Sequence, residues 1–223
     1  MIVLFDTLGT LFSFDSVRNE CREQGLPEEI TELWLSAMSR TSMAATLYGR
    51  YIPLNDAAEA SLHQVIEAKG VHRAAAAPLL DALQRAEPRE GARECLRTLR
   101  TDGHRLAILA SGSSQATHSL LEKAGGTYLF DHIFSCDAVA ACKPHPAPYR
   151  MALDRIHTAP ADACLVSVHG WEVQGADTVG LDTIWVAELE KRWPFPGTPP
   201  GPAVSTLSEV PGALARRLTE AIC

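Results

Sequence analysis

An apolar, strand-like run opens this chain, and helical and strand-like segments alternate regularly from residue 89 onward. The first run covers residues 2–5, and later apolar runs cover residues 106–110, 132–136, 163–168 and 183–186. Helical segments are predicted at residues 91–100, 113–124, 148–156, 171–179 and 210–222. Repeated β–α units form parallel sheets with helices on both faces and right-handed crossovers. The alternation therefore predicts an α/β fold with a doubly wound, Rossmann-like parallel sheet.

A block without strand-like alternation separates the first strand from the others. Ile30, Leu33, Trp34, Ala37 and Met38 recur at helical spacing, and apolar stripes follow in residues 58–66 and 71–86. A helical insertion that leaves and rejoins the sheet beside the first strand is expected to cover that edge, and domain boundaries commonly hold small-molecule sites. We therefore predict a core domain of residues 1–13 and 89–223 and an all-helical cap domain of residues 14–88.

Charge and composition narrow the functional classes. The chain of 223 residues has 27 acidic and 20 basic residues, a net charge of −7, and no run of lysine or arginine, so no nucleic-acid partner is expected. The apolar stretches are too short to span a membrane, and no signal peptide is predicted. The six cysteines lack metal-finger spacing and fit reduced thiols in a cytoplasmic protein. Whether the chain forms a homodimer stays open.

The first strand runs directly into an acidic residue and a turn, in the sequence FDTLGTL of residues 5–11. Ligands of open α/β sheets bind beyond the carboxyl ends of the strands. A carboxylate placed there, Asp6, is a candidate nucleophile. The residue two places further on is Leu8, which cannot transfer a proton.

Four sequence segments, each at a predicted strand end, together carry a family resemblance. They are FDTLGTL at residues 5–11, LAILASGSS at residues 106–114, KPHPAPY at residues 143–149 and LVSVHGWEVQGA at residues 165–176. In this order they resemble the four motifs of the haloacid dehalogenase (HAD) superfamily, and among its branches the type II 2-haloacid dehalogenases. The resemblance covers nearly the whole chain and implies a HAD-like hydrolase that acts on carbon–halide bonds.

The resemblance assigns roles to individual positions. Asp6 would be the nucleophile, Lys143 the cation beside it, and Glu172 and His169 the residues that hold the hydrolytic water. Substrate-binding positions are implied at Thr10, Ser111, Gly112, Tyr149, Ser167, Trp171 and Leu35. The residues alone leave alternatives open, since Tyr149 fits a core aromatic equally well and Trp171 fits a residue packed under the cap.

Three positions depart from the dehalogenase pattern. Ala110 stands where the second motif has serine or threonine, and Leu8 stands where a tyrosine is usual. Leu35 follows Trp34 at the place of the arginine that cradles the departing halide. The resemblance with these departures implies a substrate bulkier or less anionic than a short haloacid.

No metal or other cofactor is expected. The magnesium-dependent branch has a carboxylate where this chain has Ser167, and a hard cation needs several oxygen ligands. The implied reaction is displacement at carbon by Asp6, followed by hydrolysis of the aspartyl ester, on a small molecule such as a halogenated carboxylic acid. Two alternatives stay open: a magnesium-dependent phosphatase of the same superfamily, and a catalytically impaired HAD fold that serves as a binding protein.

Overall fold

The core of the molecule is a six-stranded parallel sheet. A computed structural model describes residues 1–27, 29–72 and 75–220. The strands are β1 (Ile2–Phe5), β2 (Arg105–Ala110), β3 (His132–Ser135), β4 (Ala163–Ser167), β5 (Asp182–Val186) and β6 (Ala203–Val204). They lie in the order β3-β2-β1-β4-β5-β6, so the amino-terminal strand is central and pairs with β2 and β4.

Helices cover both faces of the sheet. They are α5 (Ala92–Thr101), α6 (Ser114–Lys123), α7 (Pro146–Ile156), α8 (Gly170–Asp177) and α9 (Val210–Glu220). On one face, Val3 and Phe5 of β1 pack with apolar residues of α5, α6 and α9. On the other, Ile2 and Leu4 pack with α7 and α8. Successive strand residues point to opposite faces, so the unbroken apolar run of β1 supplies both cores.

The segment after β1 forms a separate helical layer, which we call the cap and define by its four helices. These are α1 (Asp15–Glu23), α2 (Glu29–Leu47), α3 (Leu54–Ala68) and α4 (Ala76–Gln84). The cap has its own apolar cluster, in which Trp34 is fully buried and donates a hydrogen bond of 2.8 Å from its indole nitrogen to the carbonyl oxygen of Ala58. A buried tryptophan needs such a partner for its N–H group.

The predicted parallel α/β sheet is confirmed, with one strand added. The two-residue strand β6 follows the proline-rich residues 193–202, where the sequence predicts only irregular chain. A run of two residues is too short to show a periodicity. Residues 221–223, the end of the predicted last helix together with Cys223, lie outside the described residues.

Two further sequence expectations relate to this architecture. The domain boundaries at residues 13/14 and 88/89 stay a prediction, which the separate apolar cluster of the cap supports. In the described part of the chain, no helix is long and apolar enough to cross a membrane.

Candidate active site

The sheet order brings three ionisable residues from distant parts of the sequence together. Asp6 follows β1, Glu172 lies in the first turn of α8 after β4, and Lys143 precedes α7. Because β1 lies between β2 and β4, the carboxyl ends of these strands meet at the centre of one sheet edge. That edge is where ligands bind in open α/β sheets.

Lys143 lies between the two carboxylates. Its Nζ atom is 2.9 Å from Oδ1 of Asp6 and 2.9 Å from Oε1 of Glu172. It also donates a hydrogen bond of 2.7 Å to the carbonyl oxygen of Leu109 at the end of β2. The lysine is fully buried, and the two acids are 3% and 1% exposed. All three ammonium protons therefore have acceptors in the protein.

Burial and the neighbouring charges move the pKa values of the two acids in opposite directions. Burial disfavours the ionised form of Asp6, but the charges of Lys143 and His169 and the hydrogen bonds to its carboxylate outweigh it and lower its pKa. The pKa of Glu172 is raised, first by burial and then by the charge of Asp6. Burial opposes the charge of Lys143 as well, but the two carboxylates raise its pKa above the ordinary value. The nucleophile position is thus kept ionised, while Glu172 takes up a proton more readily than an ordinary glutamate.

Two hydroxyl groups fix the carboxylates in place. Thr10 donates a hydrogen bond of 2.8 Å to Oδ2 of Asp6 and accepts one of 3.1 Å from the backbone N–H of Val168. Ser167 donates a hydrogen bond of 2.9 Å to Oε2 of Glu172 and accepts one of 3.0 Å from the backbone N–H of His169. Each hydroxyl thereby ties a carboxylate to the loop after β4.

His169 forms one side of the site and is held from two directions. Its Nε2 atom donates a hydrogen bond of 3.1 Å to the carbonyl oxygen of Leu8 and lies 3.8 Å from Oδ2 of Asp6. Its ring stacks on that of Trp171, with centroids 5.2 Å apart and an angle of 22° between the planes. Gly9, with φ of +87°, lies against the same ring, and a Cβ atom there would be 3.0 Å from Nε2. Both the backbone conformation and the close ring favour glycine at this position.

A cavity of about 720 Å³ lies over these residues, between the sheet edge and the cap. Of the predicted site residues, those that line it are Asp6, Leu35, Ser111, His169, Trp171 and Glu172. Leu35 lies on α2 and also packs against the apolar cluster of the cap. Leu35 thus lies in the cap wall of the cavity, and its contact with substrate stays a prediction.

The remaining predicted positions do not line this cavity. Tyr149 is fully buried and donates a hydrogen bond of 3.1 Å to the backbone carbonyl oxygen of Glu172, so the expected substrate contact of its phenol is corrected to a contact that supports α8. Thr10 and Ser167 are also fully buried and bind the two acids. Gly112 is half-buried and lines a neighbouring cavity of about 340 Å³, which shares Leu8 and Leu54 with the first, and its carbonyl oxygen accepts a hydrogen bond of 2.8 Å from Ser135. Thr10 and Ser167 thus hold the two acids from behind.

The sequence reasoning missed part of the cavity wall. Leu189 and Glu190 follow β5 and reach the cavity, where Glu190 also accepts a hydrogen bond of 2.9 Å from the first N–H of α8. Because β5 lies beside β4, the loop after it belongs to the same sheet edge. The sequence locates the end of this strand, and the expected binding of ligands beyond strand ends was the signal that could have found these two residues. The cap wall further includes several α2 residues: Glu32, Ser36, Ser39, Arg40, Ser42 and Met43.

A metal site is not apparent in the described part of the chain. Among residues 1–27, 29–72 and 75–220, no group of three or more histidine, cysteine, aspartate or glutamate side chains is arranged to hold a metal ion. The Nζ atom of Lys143 lies between the carboxylates of Asp6 and Glu172 and contacts one oxygen of each.

Comparison with known proteins gives the family. The model of the haloacid dehalogenase-like hydrolases matches residues 4–186. This chain belongs to that family. Curated relatives include (S)-2-haloacid dehalogenase 2 of Pseudomonas sp. (strain CBS-3), which is 30% identical over 95% of this chain and 94% of the relative. Haloacetate dehalogenase H-2 of Moraxella sp. (strain B) is 30% identical over 82% of this chain and 84% of its own length.

A solved structure shares nearly the whole fold of this haloacid dehalogenase-like hydrolase. The L-2-haloacid dehalogenase from Xanthobacter autotrophicus is 27% identical, with a TM-score of 0.87 over 96% of this chain and 98% of that one. A second structure of the Xanthobacter enzyme, 26% identical with a TM-score of 0.85, has chloropropionic acid covalently bound.

Proposed function

We propose that this chain hydrolyses the carbon–halogen bond of a 2-haloacid through a covalent ester on Asp6. The observation that carries the proposal is the ionised, buried Asp6 carboxylate at the floor of the cavity, held by Lys143 and Thr10. The residue two places on is Leu8, so no proton donor stands where a phosphatase of this fold would need one. The names of the relatives and the covalent chloropropionate complex of one of them support the same chemistry.

The first step is a displacement at carbon. A carboxylate oxygen of Asp6 forms a bond to the carbon that carries the halogen, and the halide leaves with the bonding electrons. Lys143 and Thr10 fix the carboxylate before substrate arrives, so little reorganisation is needed at the moment of attack. The result is an aspartyl ester and a free halide ion.

The second step returns Asp6 to its starting state. Water attacks the ester carbonyl carbon of Asp6, Glu172 accepts a proton from it, and Lys143 stabilises the negative charge that develops on the carbonyl oxygen. His169, which lies on the cavity wall close to Asp6, is placed to orient this water. Collapse of the tetrahedral intermediate expels the alkoxide of the 2-hydroxyacid, which takes the proton from Glu172. One oxygen of the water remains in the Asp6 carboxyl group, and the second water proton is lost to solvent as Asp6 ionises again.

The proposed substrate is a halogenated carboxylic acid, and the bulkier or less anionic substrate that the three departures imply stays a prediction. The hydroxyl of Ser111 lies at the cavity wall and can donate to an anionic group of the substrate. The walls formed by Leu8, Leu35 and Trp171 suit the carbon skeleton and the halogen. The relatives' names place haloacetate and (S)-2-haloacids within this class.

We further propose a cytoplasmic protein, since the five described cysteines are free and buried. Homodimer formation stays a prediction, which light scattering on the purified protein tests.

A single-turnover reaction in ¹⁸O-labelled water tests the mechanism. With 2-chloropropionate, the label should enter the Asp6 carboxylate before it reaches lactate, and Asp6→Asn should abolish halide release. A parallel reaction with a chelator should proceed at the same rate, and aryl phosphates should not be hydrolysed. Label found only in the product would mean direct attack by water, and turnover that a chelator abolishes and Mg²⁺ restores would favour a phosphatase-like metal site.

A further inference from the structure

Two hydrogen bonds join the second cap helix and the turn after it to the core loop that carries Lys143. The hydroxyl of Thr46, near the end of α2, accepts a hydrogen bond of 2.9 Å from the backbone N–H of Cys142. Five residues further on, the phenol of Tyr51 donates one of 2.5 Å to the carboxylate of Asp137. We call these two side chains, Thr46 and Tyr51, the cap anchor.

Thr46 makes a contact next to the catalytic lysine. Cys142 immediately precedes Lys143, is 6% exposed, and also lines the cavity. The Thr46 hydroxyl donates its own proton to the carbonyl oxygen of Ser42, one turn earlier in α2, at 3.1 Å. The hydroxyl therefore has a fixed direction, and its free lone pair points at the Cys142 amide.

Tyr51 reaches a second part of the site. Its partner Asp137 donates its backbone N–H to Ser135 Oγ at 3.1 Å, and Ser135 donates to the carbonyl oxygen of Gly112 at 2.8 Å. Gly112 follows Ser111, which lines the cavity. Burial and the neighbouring Asp137 carboxylate raise the pKa of Tyr51, so the phenol keeps the proton that it donates.

We propose that Thr46 and Tyr51 are positioning residues, which hold the cap in register over the core and fix the loops that carry Lys143 and Ser111. This inference rests on the proposed function and goes beyond the residues that touch substrate. A shift of about 1 Å in a catalytic group can cost roughly 100-fold in rate. Loss of an anchor contact is therefore expected to lower kcat rather than only raise KM.

The test compares each anchor residue with a matched neighbour. Thr46→Val removes the hydroxyl at nearly constant volume, and Thr46→Ser restores it. Thr41→Val is the control, because Thr41 lies on the same helix and makes no side-chain hydrogen bond within the described residues. Tyr51→Phe is paired with Tyr48→Phe, since Tyr48 is 66% exposed and does not line the cavity.

We expect Thr46→Val to lower kcat for 2-chloropropionate roughly 10-fold or more, with Thr46→Ser close to wild type. In Thr46→Val, the acid limb of the pH profile of kcat/KM should move to higher pH. A displaced Lys143 would lower the pKa of Asp6 less, so Asp6 would take up a proton at a higher pH. The ionisable groups that face Asp6 are Lys143, Glu172 and His169. Of these, only Lys143 is the chain neighbour of Cys142, whose backbone N–H donates to Thr46. A folded Thr46→Val enzyme with wild-type kcat and pH profile, or with a changed KM alone, would overturn the proposal.

Amide hydrogen exchange keeps the two proposals apart. The amides of Cys142 and Lys143 should exchange faster in Thr46→Val than in wild type and at the wild-type rate in Thr41→Val. This expectation holds whether or not any haloacid is turned over. A wild-type protein inactive on every haloacid would thus refute the proposed function while exchange still decides on the anchor. If Thr46→Val does not fold, the test falls on Tyr51→Phe. A Tyr51→Phe enzyme with the same kcat and the same amide exchange rates as Tyr48→Phe would overturn the proposed anchor.

Discussion

Lys143 is the residue on which the proposed chemistry of the site depends. It donates to Asp6, to Glu172 and to the Leu109 carbonyl oxygen, so its position is fixed from three directions. Removal of such a buried cation would leave two carboxylates close together without compensation, a strongly unfavourable arrangement. The same lysine thus compensates the two buried carboxylates at the sheet edge and lowers the pKa of Asp6, the proposed nucleophile.

Leu35 offers a test of the proposed leaving group at the residue scale. Leu35 faces the cavity from α2, where a guanidinium would stabilise negative charge that develops on a departing halide. Loss of one such donor from a catalytic site costs about 10²–10³ in rate. We expect wild type to be slow on short haloacids and Leu35→Arg to raise kcat on chloroacetate or 2-chloropropionate, measured as halide release.

The uncharged variant Leu35→Met is the control for packing, since it conserves volume and should change kcat little. A folded Leu35→Arg protein with unchanged or reduced kcat would show that Arg40, which lines the same cavity, already fills this role, or that halide is not the leaving group.

At the scale of elements, the sequence predicts the strand ends well and the side-chain directions less well. Asp6, Lys143 and Glu172 follow β1, β3 and β4, whose positions the strand and helix periodicities predict, and parallel strands share one carboxyl edge. Whether Tyr149 faces the cavity depends on the rotation of α7 against the sheet, which its own sequence does not determine. The contacts of Thr46 and Tyr51 escape sequence reasoning as well, because they join segments that are 96 and 86 residues apart.

The first turn of α8 buries the carboxyl group of Glu172, and burial disfavours its ionised form. A carboxyl group with a raised pKa in the folded chain favours folding in its protonated form, and this contribution is lost as pH rises through the folded pKa. Glu172 has a raised pKa, so Glu172→Gln should increase the free energy of unfolding at pH 8 while it abolishes ester hydrolysis. Urea unfolding at pH 8 and pH 4.5 measures this, and the gain should shrink at the lower pH.

Glu122→Gln controls for the change in net charge, because Glu122 is exposed on α6. Lower stability of Glu172→Gln at pH 8 would mean that the ionised pair with Lys143 outweighs the cost of burying the acid.

At the scale of the whole molecule, the chain crosses between core and cap beside the catalytic loop. On the return path, the backbone N–H of Arg89 donates to the Leu11 carbonyl oxygen at 2.8 Å, and its side chain donates to the Gly9 carbonyl oxygen at 2.6 Å. The same guanidinium pairs with Glu188 after β5 at 2.5 Å. One side chain therefore joins the cap-to-core crossing, the turn after Asp6 and the loop that leads to the cavity wall.

We expect Arg89→Met to lower both stability and activity. Gly9 is buried, so its carbonyl oxygen would lose its donor, at a cost of about 1–3 kcal/mol. The freed turn lies between Asp6 and Thr10, so kcat should fall along with the free energy of unfolding. Arg85→Met is the matched control, because Arg85 is 60% exposed and pairs with Glu20 at 3.3 Å, an interaction worth less than about 1 kcal/mol. Urea unfolding and halide release measure both variants, and equal losses in the two would show that the crossing does not depend on Arg89.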